Sequence, residues 1–341
     1  MGKNIAVVGV GAVGVEILKI LKERKFPADK IRVFARTSRE INIEGQSYQV
    51  EAISEENFDD VDIALFAGTE GEKGASVQYA HKFIKKGAIV IDNGKDFRLK
   101  NEVPLVVPEV NKDEISKNQG LIANPNCTTI QMVVALGQLF KRFGLKEVIM
   151  TSLQATSGGG RSSAQSLWEE TKNIVEKNKG KNYFNQLNKN RGQVKSSFSH
   201  QIAFNAIPQI GSFNQDGFTT EEQKVIDETH KIYRDDKIKI SATCVRIPVF
   251  TSHSESIYFK TAKVVELEQV KEVLENSPGV VFSANQSDFS LALDAEGKDP
   301  VYVGRLRCDS SQKNGFWLWA VSDNLRKGAA LNAVQIAENL L

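Results

Sequence analysis

The stretch Leu121-Ile-Ala-Asn-Pro-Asn-Cys-Thr-Thr-Ile-Gln131 holds the residue best placed for covalent chemistry. Its apolar lead-in is cut by Asn124-Pro125-Asn126, and Pro125 biases Asn124 away from the α region, which predicts a turn. Ile130, Val133, Val134, Leu136, Leu139 and Phe140 then recur at helical spacing, which predicts a helix over 128–143. Asn126 is a good N-cap type, so Cys127 falls on the first turn. Unpaired N–H groups and the macrodipole there favour a thiolate, the form of cysteine that attacks carbonyl carbon. The competing reading is a small buried core thiol. A thiolate acting on an aldehyde needs a hydride acceptor and a proton-transfer group beside it. Of the four histidines, His81 lies mid-helix, His230 lies in a polar helix, and His200 lies in a basic segment. His253, in Phe250-Thr-Ser-His-Ser-Glu-Ser256, falls in a polar turn between two strands and is the best placed. A plain surface turn histidine is its competing reading.

The elements that would position such a thiol begin at the N-terminus. Residues 4–8 are an apolar strand, followed at once by Gly9-Val-Gly-Ala-Val-Gly14 and a helix marked by Val15, Ile17, Leu18, Ile20 and Leu21. Ile31 to Ala35 closes a βαβ unit, the context in which G-x-G-x-x-G binds a dinucleotide pyrophosphate. After that strand comes Ala35-Arg36-Thr37-Ser38-Arg39, where an NAD site would carry an acid. Arginine with hydroxyl neighbours suits a 2′-phosphate, so the expected cofactor is NADP; solvated loop charges are the competing reading. Strands at 61–67 and 88–91, with a helix over 74–86 turning Val77, Ala80 and Phe83 or Ile84 inward, continue the alternation. Val103 to Pro108 is bounded by prolines and reads as an edge or crossing segment. Arg98 and Cys127 both follow strand ends, where ligands bind in such sheets.

Beyond the helix over 128–143, long strands with few helices between them predict a second, α+β domain with a mixed or antiparallel sheet. Strands are expected over 147–154, near 202–204, over 238–250, over 256–262 and over 302–308. Helices are expected over 222–233 and 267–276, and a last amphipathic one over 329–338 must pack back on the first domain. The expected fold is α/β, with a doubly wound Rossmann-type parallel sheet domain (1–127 plus 322–341) and a catalytic and dimerisation domain (128–321).

The chain's 341 residues allow about two domains, and its 41% hydrophobic and 25% charged content are those of a globular protein. A net charge of +2 gives no case for nucleic acid. Residues 171–200 carry seven basic residues against Glu176 but few aromatics, so a solvated cover or lid is the expectation there. Three scattered cysteines without C-x-x-C spacing predict no metal site and a reducing compartment, the cytoplasm. Lys3 and the apolar residues after it look like a leader, but Gly9, Gly11, Gly14 and Glu16 break that run. No apolar run reaches a membrane span, and no membrane partner is expected.

Several motifs together resemble the aspartate-β-semialdehyde dehydrogenase family. They are Asn124-Pro-Asn-Cys-Thr-Thr-Ile-Gln131, Ile207-Pro-Gln-Ile-Gly-Ser-Phe213, Thr243-Cys-Val-Arg-Ile-Pro-Val249 with His253-Ser-Glu-Ser256, and Ser322-Asp-Asn-Leu-Arg-Lys-Gly-Ala-Ala-Leu-Asn332. The resemblance runs from about residue 4 to 340. It implies Cys127 as acyl-thioester nucleophile, Gln154 as an orienting group and His253 as acid/base. It implies Arg246 on the substrate α-carboxylate and Glu221 on its amino group, with Arg98, Asn126 and Lys224 at a phosphate site. Gly9, Val10, Gly11, Ala12, Val13, Gly14, Arg36, Thr37, Ser38, Ser157, Gly158 and Asn324 match its NADP contacts. A surface ion pair is the alternative for Glu221 and Lys224, three apart on one helix. The implied reaction is reversible reductive dephosphorylation of 4-aspartyl phosphate to aspartate semialdehyde, on the route to lysine, threonine and methionine, in a homodimer or homotetramer.

Three stretches depart from the family pattern. The glycine loop is one residue short of G-A-T-G-A-V-G, Gly94-Lys95-Asp96 replace small polar residues before Arg98, and Gly159-Gly160-Arg161 replaces S-G-A-G. N-acetylglutamyl-phosphate reductase would carry G-C-Y-P-T at its cysteine, and glyceraldehyde-3-phosphate dehydrogenase S-x-x-S-C-T-T-N. A non-catalytic paralogue should have lost Cys127 or His253.

Overall fold

β1 (Lys3–Val8) sends Ile5 and Val7 to one face of its sheet and Ala6 and Val8 to the other, and all four are buried. That two-sided burial is why the strand reads as a continuous apolar run. The computed structural model describes residues 2–54, 58–68, 70–177 and 196–341. The first domain continues with α1 (Ala12–Glu23), β2 (Ala28–Ala35), β3 (Arg39–Ile43), β4 (Gln46–Ala52), β5 (Ile63–Phe66), α2 (Ala75–Lys85) and β6 (Ile89–Asp92). A short α3 (Pro108–Asn111) and β7 (Leu121–Ala123) complete it. The strand order is β3-β4-β2-β1-β5-β6-β7, parallel except for β3, which pairs antiparallel with β4.

The β3–β4 hairpin is absent from the sequence reading. Its two-residue turn puts Glu44 and Gly45 at φ of 49° and 80°, the left-handed pair that a tight hairpin needs. Ile43, Tyr48 and Val50 alternate inward and extend the core under α1. Residues 103–108 do cross the domain, touching the sheet at one bridge from Leu105 to Ala123 before Pro108 opens α3. On α2, Ala80 and Phe83 face the core, but Val77 is 38% exposed, contrary to expectation.

α4 (Cys127–Phe143) is apolar almost all round because it lies between the second sheet and the helices that cover it, with twelve of its residues buried. The second domain holds β8 (Leu145–Gln154), α5 (Arg161–Lys177), α6 (Thr220–Tyr233), β9 (Lys239–Arg246) and β10 (His253–Thr261). It continues with α7 (Leu267–Glu275), β11 (Val280–Phe282), α8 (Ala292–Ala295), β12 (Val301–Cys308) and β13 (Gly315–Ser322). Its six strands order as β11-β12-β13-β10-β8-β9, a mixed sheet in which β8–β9 and β11–β12 are the parallel pairs.

Two expected strands are corrected. Ile202 and Ala203 form a turn, because both of their N–H groups donate to the Glu170 carboxylate, at 2.7 and 3.0 Å. The run 238–250 does not continue as one strand: β9 stops at Arg246, ahead of Pro248, which has no N–H for a ladder. The expected cover over 171–200 falls largely on 178–195, outside the described residues. α9 (Leu331–Glu338) packs its apolar stripe on Ile5, Ile17 and Leu21, so the chain returns to its first domain as expected. Among the described residues no helix is long and apolar enough to cross a membrane.

Candidate active site

Cys127 is the first residue of α4, and the Asn126 side chain caps that helix by accepting from the N–H groups of Thr128 and Thr129. The turn before it is fixed from three directions. Asn124 N–H donates to Asp92 O at 2.8 Å, its Nδ2 donates to Asn93 Oδ1, and Asn332 Nδ2 reaches Asn124 Oδ1. Gly328, in the turn leading into α9, packs so closely that a Cβ there would lie 2.8 Å from Cys127 Cβ. The thiol is thereby clamped between the ends of β6, β7 and the returning C-terminal segment.

His253 Nε2 lies 3.3 Å from Cys127 Sγ, and Nδ1 accepts from the Ala155 N–H at 3.1 Å. The residue is the first of β10 and is fully buried, so it does not sit in an exposed polar turn. Burial, with Arg246 nearby, holds its pKa down to about 3, so the ring is neutral near pH 7. Burial also pushes the Cys127 thiol up to about 11, and the Glu221 carboxylate adds to this, while Arg246 and Arg98 pull the other way. Burial is the largest of these influences, and it favours the thiol over the thiolate that the helix end was expected to favour.

Gln154 and Arg246 are opposite partners at the end of the parallel β8–β9 ladder. That register sends both side chains into the cavity beside Cys127. Arg246 Nη1 donates to Ala155 O at 2.5 Å, and a Cβ on Gly158 would lie 2.9 Å from the same nitrogen and 3.2 Å from the His253 ring. A side chain at Gly158 would therefore displace the Arg246 guanidinium and press on the His253 ring. Glu221 is buried on α6, accepting from Asn126 Nδ2 at 3.0 Å and from Lys224 Nζ at 3.1 Å. Burial raises its carboxyl, but Lys224 and Asn126 more than compensate and hold it below the ordinary range. The Glu221–Lys224 pair is therefore a wall of the cavity and not an outer-surface pair.

Arg98 is buried, with Nε on Asn124 O, Nη2 on Asn93 O and Nη1 on Glu228 Oε1. Three of its five N–H donors are so engaged, leaving two for a ligand. Glu228 is missing from the sequence reading. It also accepts the Asn126 N–H at 2.6 Å, so one carboxylate fixes both Arg98 and the cysteine turn. Its signal was its place seven residues after Glu221, on the same face of α6. Lys231, one turn further, ties the 98–103 loop down through three main-chain carbonyls.

Cys127, Gln154, Arg246, Glu221, Lys224, Arg98 and Asn126 line one cavity of about 480 Å³, together with Ala12, Val13, Ser157 and Asn324. His253 lies buried behind the sulfur, and Glu228 and Lys231 brace the site from outside the lining. A second cleft of about 610 Å³ is lined by Gly9, Val10, Gly11, Arg36, Thr37, Arg39 and Lys73, and the two share Ala67. No side chain caps α1, and a Cβ on Gly11 would meet nothing within 4 Å, so a pyrophosphate could approach that helix end. Gly14 has a different duty, since a Cβ there would lie 1.9 Å from Gly9 O where α1 crosses β1. Ser38 Oγ accepts the Ala52 N–H, and neither Gly14 nor Ser38 lines either cleft. The Ser157 hydroxyl and the Asn324 amide lie 3.1 Å apart at the cavity wall.

Comparison with known proteins gives the same picture over the whole chain. Residues 4–118 match the family described as semialdehyde dehydrogenase, NAD binding domain, and residues 136–327 match semialdehyde dehydrogenase, dimerisation domain. The aspartate-semialdehyde dehydrogenase of Aquifex aeolicus (strain VF5) is 45% identical, covering 100% of this chain and 98% of that protein. The chain belongs to the aspartate-semialdehyde dehydrogenase family. The Bacillus subtilis (strain 168) member is 43% identical, with 99% and 97% covered. The crystal structure of aspartate semialdehyde dehydrogenase II complexed with ASA from Vibrio cholerae superposes with a TM-score of 0.91 at 39% identity, covering 100% and 98%. As a family member the chain is a phosphorylating aldehyde dehydrogenase with a Rossmann-like dinucleotide domain. The shortened glycine loop and the altered 94–96 loop lie within that family, not outside it.

Proposed function

We propose that this protein interconverts L-4-aspartyl phosphate and L-aspartate 4-semialdehyde, using NADP and inorganic phosphate, through a thioester on Cys127. The observation that carries the reading is the Cys127 Sγ–His253 Nε2 contact of 3.3 Å, with the sulfur in a cavity also lined by Arg246 and Glu221. Arg246 offers a guanidinium fork to the substrate α-carboxylate, and Glu221 a carboxylate to its ammonium group. Gln154 lines the same cavity as the sulfur and orients the acyl group, and His253 exchanges a proton with the oxygen of the Cys127 adduct. Arg98, Lys224 and Asn126 face the same cavity and hold the phosphate that opens the thioester. Bound nicotinamide supplies the hydride acceptor.

NADP is favoured because the basic and hydroxyl side chains of Arg36, Thr37, Arg39 and Lys73 gather at the far cleft. Residues 1–127 with 322–341 form the dinucleotide domain on this reading, and 128–321 the catalytic and dimerisation domain. A homodimer is supported by the dimerisation-domain match and by Ile149, 43% exposed on the mixed sheet's outer face beside the buried Tyr258 and part-buried Trp317 of the neighbouring strands. Free Cys127, Cys244 and Cys308 suit the reducing cytoplasm. The test is to mix purified protein with aspartate semialdehyde, phosphate and NADP and follow formation of the reduced nicotinamide. No reduction with this semialdehyde, or equal reduction with N-acetylglutamate semialdehyde, would overturn the assignment.

A further inference from the structure

The loop Gly94-Lys95-Asp96 departs from the family's small polar residues, and it brings a new charge to the catalytic cavity. Lys95 and Glu70 both line the cavity that holds Cys127, Asn126, Arg98 and Lys224. Asp96 sets them beside each other. Its carboxylate accepts the Gly71 N–H at 3.0 and 3.2 Å, which ties the loop after β6 to the loop after β5. Lys95 Nζ then lies 3.9 Å from Glu70 Oε2, with both side chains about half exposed. The two other cations at this end are held differently. Arg98 pairs with Glu228 at 3.0 Å and Lys224 with Glu221 at 3.1 Å. Both of those carboxylates are buried, and both also accept a hydrogen bond from Asn126. They are fixed in place, so a phosphate arriving between Arg98 and Lys224 meets two matched pairs and finds no excess of positive charge. Glu70 deepens that deficit, because its carboxylate acts on both cations. Burial works against the charge of Arg98 and of Lys224; Glu228 and Glu221, respectively, do most to restore it, and Glu70 adds to each.

We propose that Lys95 is a third phosphate-binding cation, held by Glu70 between turnovers and passed to the anion when phosphate or the acyl phosphate enters. The proposal deepens the function given above and rests on it for phosphate as a reactant. The exchange costs little, because a long, half-exposed ion pair contributes little stability. Lysine suits the task, since its ammonium is a point charge on a flexible stem and can follow a phosphate group that changes position during the reaction. Once Lys95 has turned to the anion, the phosphate end of the cavity carries one positive charge beyond its matched pairs. Glu70 is the competing anion: it keeps Lys95 beside the cavity and opposes phosphate for as long as it holds the lysine.

The test compares Lys95→Met, Lys95→Arg and Glu70→Gln with the unchanged enzyme, oxidising aspartate semialdehyde in the presence of inorganic phosphate. Lys95→Met should raise the KM for phosphate about 5- to 20-fold and move the KM values for semialdehyde and NADP by less than about twofold. Lys95→Arg restores the charge and should recover most of that loss. Glu70→Gln should lower the KM for phosphate about two- to fivefold, because it removes the competitor. Phosphate binding is also read without turnover, as the slowing of iodoacetamide alkylation at the Cys127 peptide. There Lys95→Met should need about 5- to 20-fold more phosphate for equal protection. Phosphate constants unchanged by Lys95→Met would overturn the proposal, as would Glu70→Gln weakening phosphate binding. A parallel rise in all three KM values would also overturn it, by placing Lys95 in the structure of the loop alone. Protection needs neither semialdehyde nor nicotinamide. Protection that depends on Lys95 in a protein inert toward aspartate semialdehyde would therefore sink the functional reading alone. Turnover with phosphate constants indifferent to Lys95 would sink only this proposal.

Discussion

Arg98 and Glu228 form an ion pair 3.0 Å long in which both side chains are almost completely buried, 7% and 1% exposed. It joins the loop after β6 to α6, and so joins the dinucleotide side of the site to the substrate side. Removing one member leaves the other charge buried without a counterion. Glu228→Ala should therefore cost about 3–5 kcal/mol of stability, read as a fall in the denaturant midpoint at unchanged slope. The double variant Arg98→Met with Glu228→Leu should recover most of that stability but not the turnover, because the free Arg98 donors go with it. Recovery of both would show that the pair serves folding only.

Cys127→Ala should abolish turnover while leaving NADP binding intact. The sulfur lines the cavity, whereas Gly9, Gly11 and Arg36 line the neighbouring cleft, so the cofactor loses no contact there. Turnover is measured by nicotinamide absorbance and binding by titration calorimetry. Retained full activity would exclude the thioester route.

The parts legible in the sequence are those fixed locally. Gly9 to Gly14 between strand and helix, and Asn126 ahead of an apolar helical run, each declare a backbone geometry within a few residues. The parts missed depend on distant partners. Glu228 is tied to Arg98 across 130 positions, and neither residue alone announces a buried pair. Ile202-Ala-Phe reads as a strand until Glu170, 32 residues away, captures its N–H groups. His253 lies among serines and looks exposed, but the pleat of β10 sends His253 and Glu255 to the buried side, a depth that polarity alone conceals. The β3–β4 hairpin was readable from the alternation of Ile41, Ile43, Tyr48 and Val50 around Glu44-Gly45.

Arg246→Leu should raise the KM for semialdehyde by about 10- to 100-fold, the worth of a charge-assisted bond of 1.5–3 kcal/mol, with a smaller effect on kcat. The reason is position: Arg246 stands opposite Gln154 in the ladder and lines the same cavity as Cys127. Steady-state kinetics at several semialdehyde concentrations separates the two constants. A loss confined to kcat would mean that Arg246 acts on the transition state and does not hold the ground-state carboxylate.

Arg36→Glu should move the preference from NADP toward NAD, by weakening NADP binding at least about tenfold more than NAD binding. Arg36 lines the far cleft at the end of β2, where a carboxylate would meet a ribose hydroxyl but repel a 2′-phosphate. Competitive titration with both dinucleotides checks this. Parallel losses for the two would place the 2′-phosphate elsewhere.

Alkylation of Cys127 by iodoacetamide tests the electrostatics of the site directly. Burial pushes the thiol up to about 11 and holds His253 down to about 3, so both are neutral near pH 7. An acid with a raised pKa loses its proton only as pH climbs toward that value, and the thiolate is the reactive form. The alkylation rate should therefore rise about tenfold for each pH unit from pH 6 to pH 9, with no plateau. A thiolate–imidazolium pair would behave oppositely, reacting at a nearly constant rate between its two ionisations. Arg246→Leu should lower the rate at any fixed pH in this range, since it removes a positive charge that favours the thiolate. A flat profile below pH 8, or an Arg246→Leu protein that reacts faster, would show that the resting site holds an ionised pair.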